Sequence, residues 1–136
     1  GNQVKFDMRT PLESDIPFIY ASWLTSYRHE EDKMTNTMYF EKFKKILTSI
    51  LEKSHVIVAC SEEDPEHVYG YIVYEKKDPV IVHYILVKQT FQRLGIGTKL
   101  KDQIKDGNNP MVCTFAGFAF TKLKNKWRLT YNPWLR

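Results

Sequence analysis

Gln92-Arg93-Leu94-Gly95-Ile96-Gly97 decides the fold, because it follows an apolar run at 80–87 and opens an amphipathic stretch that ends at the breaker Gly107-Asn108-Asn109-Pro110. That order reads as a strand, a glycine turn and a helix N-terminus. The first N–H groups of a helix lack intrahelical partners and the helix dipole adds partial positive charge, so such a turn suits a phosphate or pyrophosphate. Gly95 and Gly97 let the backbone approach that anion closely. Two glycines so spaced occur in many turns, so the neighbouring segments must decide.

Downstream, a helix over 97–106 leads to a third apolar run at 111–115. A strand, a helix and a strand in succession form a right-handed crossover with the two strands parallel. Upstream, 55–60 and 68–74 are rich in β-branched and aromatic residues and flank an acidic loop containing Pro65, which predicts a hairpin with a long connection. Residues 4–8 alternate as a short strand. Ser14 is placed to cap a first helix, with Asp15 in its first turn and Ile16, Ile19, Tyr20, Trp23, Leu24 and Tyr27 at helical spacing. Tyr39, Phe40, Phe43, Ile46, Leu47, Ile50 and Leu51 repeat the stripe in a second helix. The expected class is α/β (α+β): a mixed, mostly antiparallel central sheet with one parallel strand pair and helices on both faces, in one domain spanning 1–136. In the tail, Trp127, Leu129 and Tyr131 alternate, so 126–132 should pair as the last strand against 111–115, with Pro133 closing it. Exchange of that strand with a second subunit would make a homodimer.

The chain has 136 residues, 43% apolar and 26% charged, the composition of an ordinary globular domain with one core. No apolar run approaches bilayer length and no tripartite leader opens the sequence, so neither a membrane partner nor secretion is expected. Cys60 and Cys113 stand alone in apolar segments without ligand spacing. They read as buried small hydrophobes, not as a metal site, in keeping with a reducing cytoplasm. The net charge of +4 is uneven: no acidic residue follows Asp106, whereas Lys122, Lys124, Lys126, Arg128 and Arg136 accumulate. A solvated face is the bland reading; a basic side for a phosphate-rich cofactor, or for nucleic acid, is the functional one.

The sequence Tyr84-Ile85-Leu86-Val87, a short polar link, then Gln-x-x-Gly-x-Gly and a helix resembles the acetyl-coenzyme A signature of the GNAT superfamily of N-acetyltransferases, with Gln92, Gly95 and Gly97 filling the motif. The family's element order is followed from about 4 to about 120. The closing segment 127–134 is similar to compact acetyltransferases encoded by bacteriophages. The resemblance implies that the two parallel strands splay apart and that the pantetheine arm of acetyl-CoA lies in the gap beside Leu86 and Val87. The pyrophosphate would sit on backbone N–H groups of Arg93, Leu94, Gly95, Ile96, Gly97 and Thr98, with the side chains of Gln92 and Arg93 at the rim.

It also implies a transfer of the acetyl group to a primary amine, by direct attack in a ternary complex. That chemistry needs a neutral amine, a polarised carbonyl and a proton for the departing thiolate, and backbone N–H groups where the strand frays can polarise the carbonyl. The family's usual Glu base corresponds to Ile81, and its usual Tyr acid to Phe120. His83, two residues beyond Ile81 on the same strand face, is the replacement base, with an imidazole's acidity suited to neutral pH. Tyr131 or Tyr84 is the replacement acid. The acceptor, a small-molecule or protein amine, would enter over the connection of the first two helices, where Glu30 and Glu31 would attract a cation. Two other classes stay open: a catalytically silent coenzyme A-binding sensor or interaction module, and a small basic nucleic-acid-binding domain. The second lacks an aromatic-basic repeat or helix-turn-helix pattern.

Overall fold

Period-two alternation and turn residues lay down the strands, and two helical stripes cover one side of them. The computed structural model describes residues 5–28, 35–104, 109–116 and 118–136. Strands β1 (Phe6–Arg9), β2 (His55–Ser61), β3 (Val68–Glu75), β4 (Ile81–Val87), β5 (Met111–Cys113) and β6 (Leu129–Tyr131) form a six-stranded sheet in that spatial order. The helices are α1 (Ile16–Arg28), α2 (Asn36–Lys53), α3 (Ile96–Asp102) and α4 (Phe118–Leu123). β1 to β4 pair antiparallel, whereas β4–β5 and β5–β6 are both parallel.

The mixed sheet agrees with the sequence reading, and the terminal strand pairs where the tail pattern put it. It adds a second parallel pair to the single one expected. The chain returns through α4 and the turn at 124–128 before β6 begins, so β6 enters from the same end as β5. Trp127, 2% exposed, anchors that return.

Alternation along β3 sorts the core into two faces. Tyr71 and Val73 meet Trp23 of α1 and Phe43 and Leu47 of α2 on one side, while Ile72 and Tyr74 meet Ile96 and Leu100 of α3, with Trp127, on the other. Ser14 does not cap α1. A 3-10 turn at Glu13–Asp15 leads into the helix, and the Asp15 carboxylate reaches back to accept from the Leu12 N–H (2.7 Å) and from Arg9 Nη1 (2.6 Å). Burial alone would raise the Asp15 pKa, but the hydrogen bonds from Arg9 and Leu12 outweigh it and hold the carboxyl below its ordinary value. For α2, Thr35 Oγ1 accepts from the Met38 N–H (3.2 Å), a side-chain cap of the ordinary kind.

Gly70 of β3 lies against β4. A Cβ there would stand 2.4 Å from the Leu86 carbonyl oxygen and 3.1 Å from Val87 Cα, both backbone atoms that cannot swing aside. Gly70→Ala is therefore expected to destabilise the fold by about 2 kcal/mol, the usual cost of overpacking. Chemical denaturation of the two proteins checks this, and an unchanged midpoint would mean that β4 yields freely.

Candidate functional site

Two parallel strands that stay paired leave no room between them, so the place where β4 and β5 part defines the site. They pair only at Ile81–Val112 and Val82–Cys113, although β4 runs on to Val87. A cleft of about 440 Å³ opens beyond that point, within the range of small-molecule sites.

Backbone direction along β4 determines what the cleft can bind. The Lys88 N–H donates to the Tyr69 carbonyl at 2.9 Å, and the Leu86 carbonyl lies against Gly70. Peptide groups of alternate residues point to opposite sides of a strand, so Ile85 and Val87 turn theirs away from β3, toward the gap. The Val87 carbonyl accepts from Gln92 Nε2 at 3.0 Å, which clasps the glycine turn to the end of the strand. Of the two strand residues expected beside a cofactor arm, Val87 has its backbone on the open side. Leu86 also lines the cleft while its carbonyl serves the β3 side, and Ile85 beside it has its backbone on the open side.

The turn itself holds Arg93 at φ 66° and Gly95 at φ 86°. Left-handed backbone in a tight turn is a setting in which successive N–H groups converge on an anion. The Lys99 N–H donates to the Gly95 carbonyl at 3.0 Å, so the amides of Ile96, Gly97 and Thr98 precede the first intrahelical bond. Gln92, Arg93, Gly95, Gly97 and Thr98 line the cleft. Leu94 is exposed and Ile96 is buried in the α3-side core, so these two would offer backbone only.

Lys122 and Lys126 join Arg93 on the cleft wall, and among the described lining residues there is no Asp or Glu. The basic tail thus reaches the cleft, which its sequence signalled only as a charge run. Cys113 also lines it, and burial pushes its thiol pKa up to about 11, which leaves it protonated and a weak nucleophile at neutral pH. Among the described residues no group of three or more His, Cys, Asp or Glu is placed to hold a metal ion, and no helix is long and apolar enough to cross a membrane.

The candidate acid and base residues separate. Tyr84 lines the cleft, half-buried, with its ring stacked on Trp23 at 5.0 Å and 8°. Burial raises its pKa, against a hydrogen bond with Ser26 that lowers it, so the phenol stays protonated. Tyr131 stands on the edge strand outside the cleft lining, 39% exposed, its hydroxyl 3.4 Å from Arg136 Nη2.

His83, the expected base, is among the residues that line the cleft, with its ring turned into the protein. Its side chain is 0% exposed, with Nε2 2.7 Å from Glu75 Oε2 and Nδ1 2.7 Å from Thr114 Oγ1. Both ring nitrogens are thus engaged within the protein. The reason is a β-bulge: Tyr74 pairs with Val82 and Val73 with Tyr84, which makes His83 the extra residue. Glu30 and Glu31 lie outside the described residues.

Burial lowers the His83 pKa, opposed by Glu75 and assisted by the charges of Lys53 and Lys77. An unfolded histidine takes up its proton near pH ~6.5, before the folded one on acidification. The stability associated with neutral His83 is therefore present above that pH and is lost as pH falls below it. Melting temperature should decline on acidification through about pH 6.5, and His83→Gln should flatten that decline. Equal slopes for both proteins would contradict the assignment.

A profile of the Acetyltransferase (GNAT) family matches residues 16–106, which contain α1, α2, the hairpin, β4, the glycine turn and α3. No curated protein sequence matches the chain. A proposed acetyl transferase of Pyrococcus furiosus shares the fold with TM-score 0.61 at 15% identity, covering 94% of this chain and 82% of that one. A proposed acetyltransferase of Clostridium difficile 630 gives TM-score 0.58 at 18% identity, covering 90% and 87%. A GNAT-family acetyltransferase of Staphylococcus aureus Mu50 gives 0.49 at 16% identity; the match covers 74% of this chain and 63% of that protein's length. β4 and the glycine turn fall within the matched segment, which covers well over half of the chain, and the chain belongs to the GNAT family of acetyltransferases.

Proposed function

We propose that the chain uses acetyl-CoA to acetylate a primary amine by direct attack in a ternary complex, within one domain spanning 1–136. The observation that carries this reading is the gap between β4 and β5, with the outward peptide groups of Ile85 and Val87 leading to the amides of the glycine turn. The pantetheine arm would lie along β4, the pyrophosphate on the turn, and Arg93, Lys122 and Lys126 would neutralise phosphate charge. Amides of β4 past the bulge would polarise the thioester carbonyl. Tyr84 would protonate the departing thiolate, with Tyr131 as the outlying alternative. The protonated Cys113 thiol favours direct attack over an acyl-enzyme.

With His83 enclosed, the amine proton leaves to water, and Glu30 and Glu31 would draw the amine to the cleft mouth. Turnover then rises with pH as the neutral fraction of the acceptor grows. The absence of a carboxylate among the described lining residues also supports a second reading, a module that binds coenzyme A without turnover.

Saturating acetyl-CoA is expected to raise the melting temperature, since a ligand specific for the folded state stabilises it. Thiol release with a panel of amines is expected to exceed the rate without amine. No thermal shift would reject both readings. A shift without thiol release across the panel would select the silent module.

A further inference from the structure

Glu75 closes β3, His83 is the bulged residue of β4, and Thr114 is the first residue after β5, so three separate segments meet in one buried chain of side chains. They are 4%, 1% and 0% exposed. An ionised carboxylate only accepts, so Nε2 of His83 carries the hydrogen donated to Glu75, and Nδ1 accepts from the Thr114 hydroxyl. Burial alone would raise the Glu75 pKa, but hydrogen bonds from His83 and Lys77 outweigh it and keep the group ionised. The charged groups facing the pair are Lys77 from the β3–β4 connection, 3.3 Å from Glu75, and Lys53 from the end of α2, 3.9 Å from it.

The location gives this chain a purpose. The Thr114 N–H donates to the Val82 carbonyl at 3.2 Å, one residue past the last β4–β5 residue pair. Arg136 Nε donates to the Thr114 carbonyl at 2.8 Å from the other side. Cys113 and Phe115 on either side of Thr114, and Tyr84 next to His83, all line the cleft.

We propose that the Glu75–His83–Thr114 chain is a positioning device: Glu75 fixes the tautomer of His83, His83 holds Thr114, and together they set the separation of β4 and β5 where the acyl group is held. This role rests on the acyl-transfer reading above. The contacts assigned to donor binding lie further along, at Ile85, Val87 and the glycine turn, so the device governs turnover and not donor affinity. Protonation of His83 would place a hydrogen on Nδ1 facing the Thr114 hydroxyl, which must then reverse from donor to acceptor. Acidification therefore weakens the hold.

Thr114→Val removes the hydroxyl with little change of shape. It is expected to lower kcat by about tenfold to a hundredfold, the scale of a small misplacement of reacting groups, while the Kd for acetyl-CoA by calorimetry stays within about twofold of the parent. On an acceptor whose amine is neutral throughout the pH range, so that acceptor ionisation contributes nothing, the acid decline of kcat expected of the parent should flatten in this variant, and Thr114→Ser should restore both kcat and the decline. Independently of turnover, ¹⁵N resonances of the His83 ring in the parent should show hydrogen on Nε2 and a bare Nδ1 at neutral pH. Parental kcat in Thr114→Val, or the opposite tautomer, would overturn the positioning role alone. A parent that neither binds acetyl-CoA nor releases thiol would overturn the acyl-transfer reading, and this role with it.

Discussion

Gly95→Val is expected to weaken acetyl-CoA binding by about a hundredfold while the protein stays folded. Gly95 sits at φ 86°, and a Cβ built on it meets no heavy atom within 4 Å. The penalty is therefore backbone strain and not collision. A β-branched residue in the left-handed region pays about 1–3 kcal/mol, and the upper end of that range is close to a hundredfold in Kd. If the turn relaxes to escape the strain, the amides of Ile96, Gly97 and Thr98, which precede the first intrahelical bond, shift from their places at the helix start, and affinity falls by that route. Gly95→Asn separates conformation from side-chain bulk, because Asn tolerates this backbone region, and should retain most of the affinity. Gly97 differs. A Cβ there would make an ordinary 3.8 Å contact with Val87 Cγ2, so any loss in Gly97→Ala would come from the methyl group entering the cleft. Calorimetry with acetyl-CoA, with circular dichroism to establish folding, decides between these accounts. Gly95→Val that binds like the parent would put the phosphate site elsewhere.

Tyr84→Phe should lower turnover by about a hundredfold, the scale of a lost proton donor, with little change in donor affinity. The substitution keeps the ring, so the stack on Trp23 and the tilted contact with Tyr71 at 5.9 Å survive and only the hydroxyl bonded to Ser26 is lost. Burial holds the phenol pKa above its ordinary value, so an acid role predicts no decline of turnover from Tyr84 ionisation near neutral pH. Tyr131→Phe, on the exposed edge strand, should behave as the parent. Steady-state thiol release by the three proteins is the measurement. A loss in Tyr131→Phe with none in Tyr84→Phe would exchange the two assignments.

The hairpin, the helical stripes, the strand–glycine turn–helix unit and the pairing of the tail were all legible because each is written in local signals: a period of two, a period of 3.6, and glycine or proline at a turn. The motif Gln92, Gly95 and Gly97 was legible for the same reason, since the shape of its turn depends on its own residues. What the sequence could not show depends on register between distant segments. One extra residue in β4 makes His83 a bulge and encloses it with Glu75 and Thr114. Parity along the same strand gives the open backbone to Ile85 and Val87 and turns the Leu86 carbonyl to Gly70.

Which of two tyrosines meets the cleft, and that β6 runs parallel to β5, were likewise matters of tertiary structure. A shift of a single residue in strand pairing exchanges inside for outside along a whole strand. Composition and spacing within one segment carry no record of that choice. It is made when the segments pack, and in this protein it stacks Tyr84 on Trp23 beside the cleft while it engages both ring nitrogens of His83 with Glu75 and Thr114.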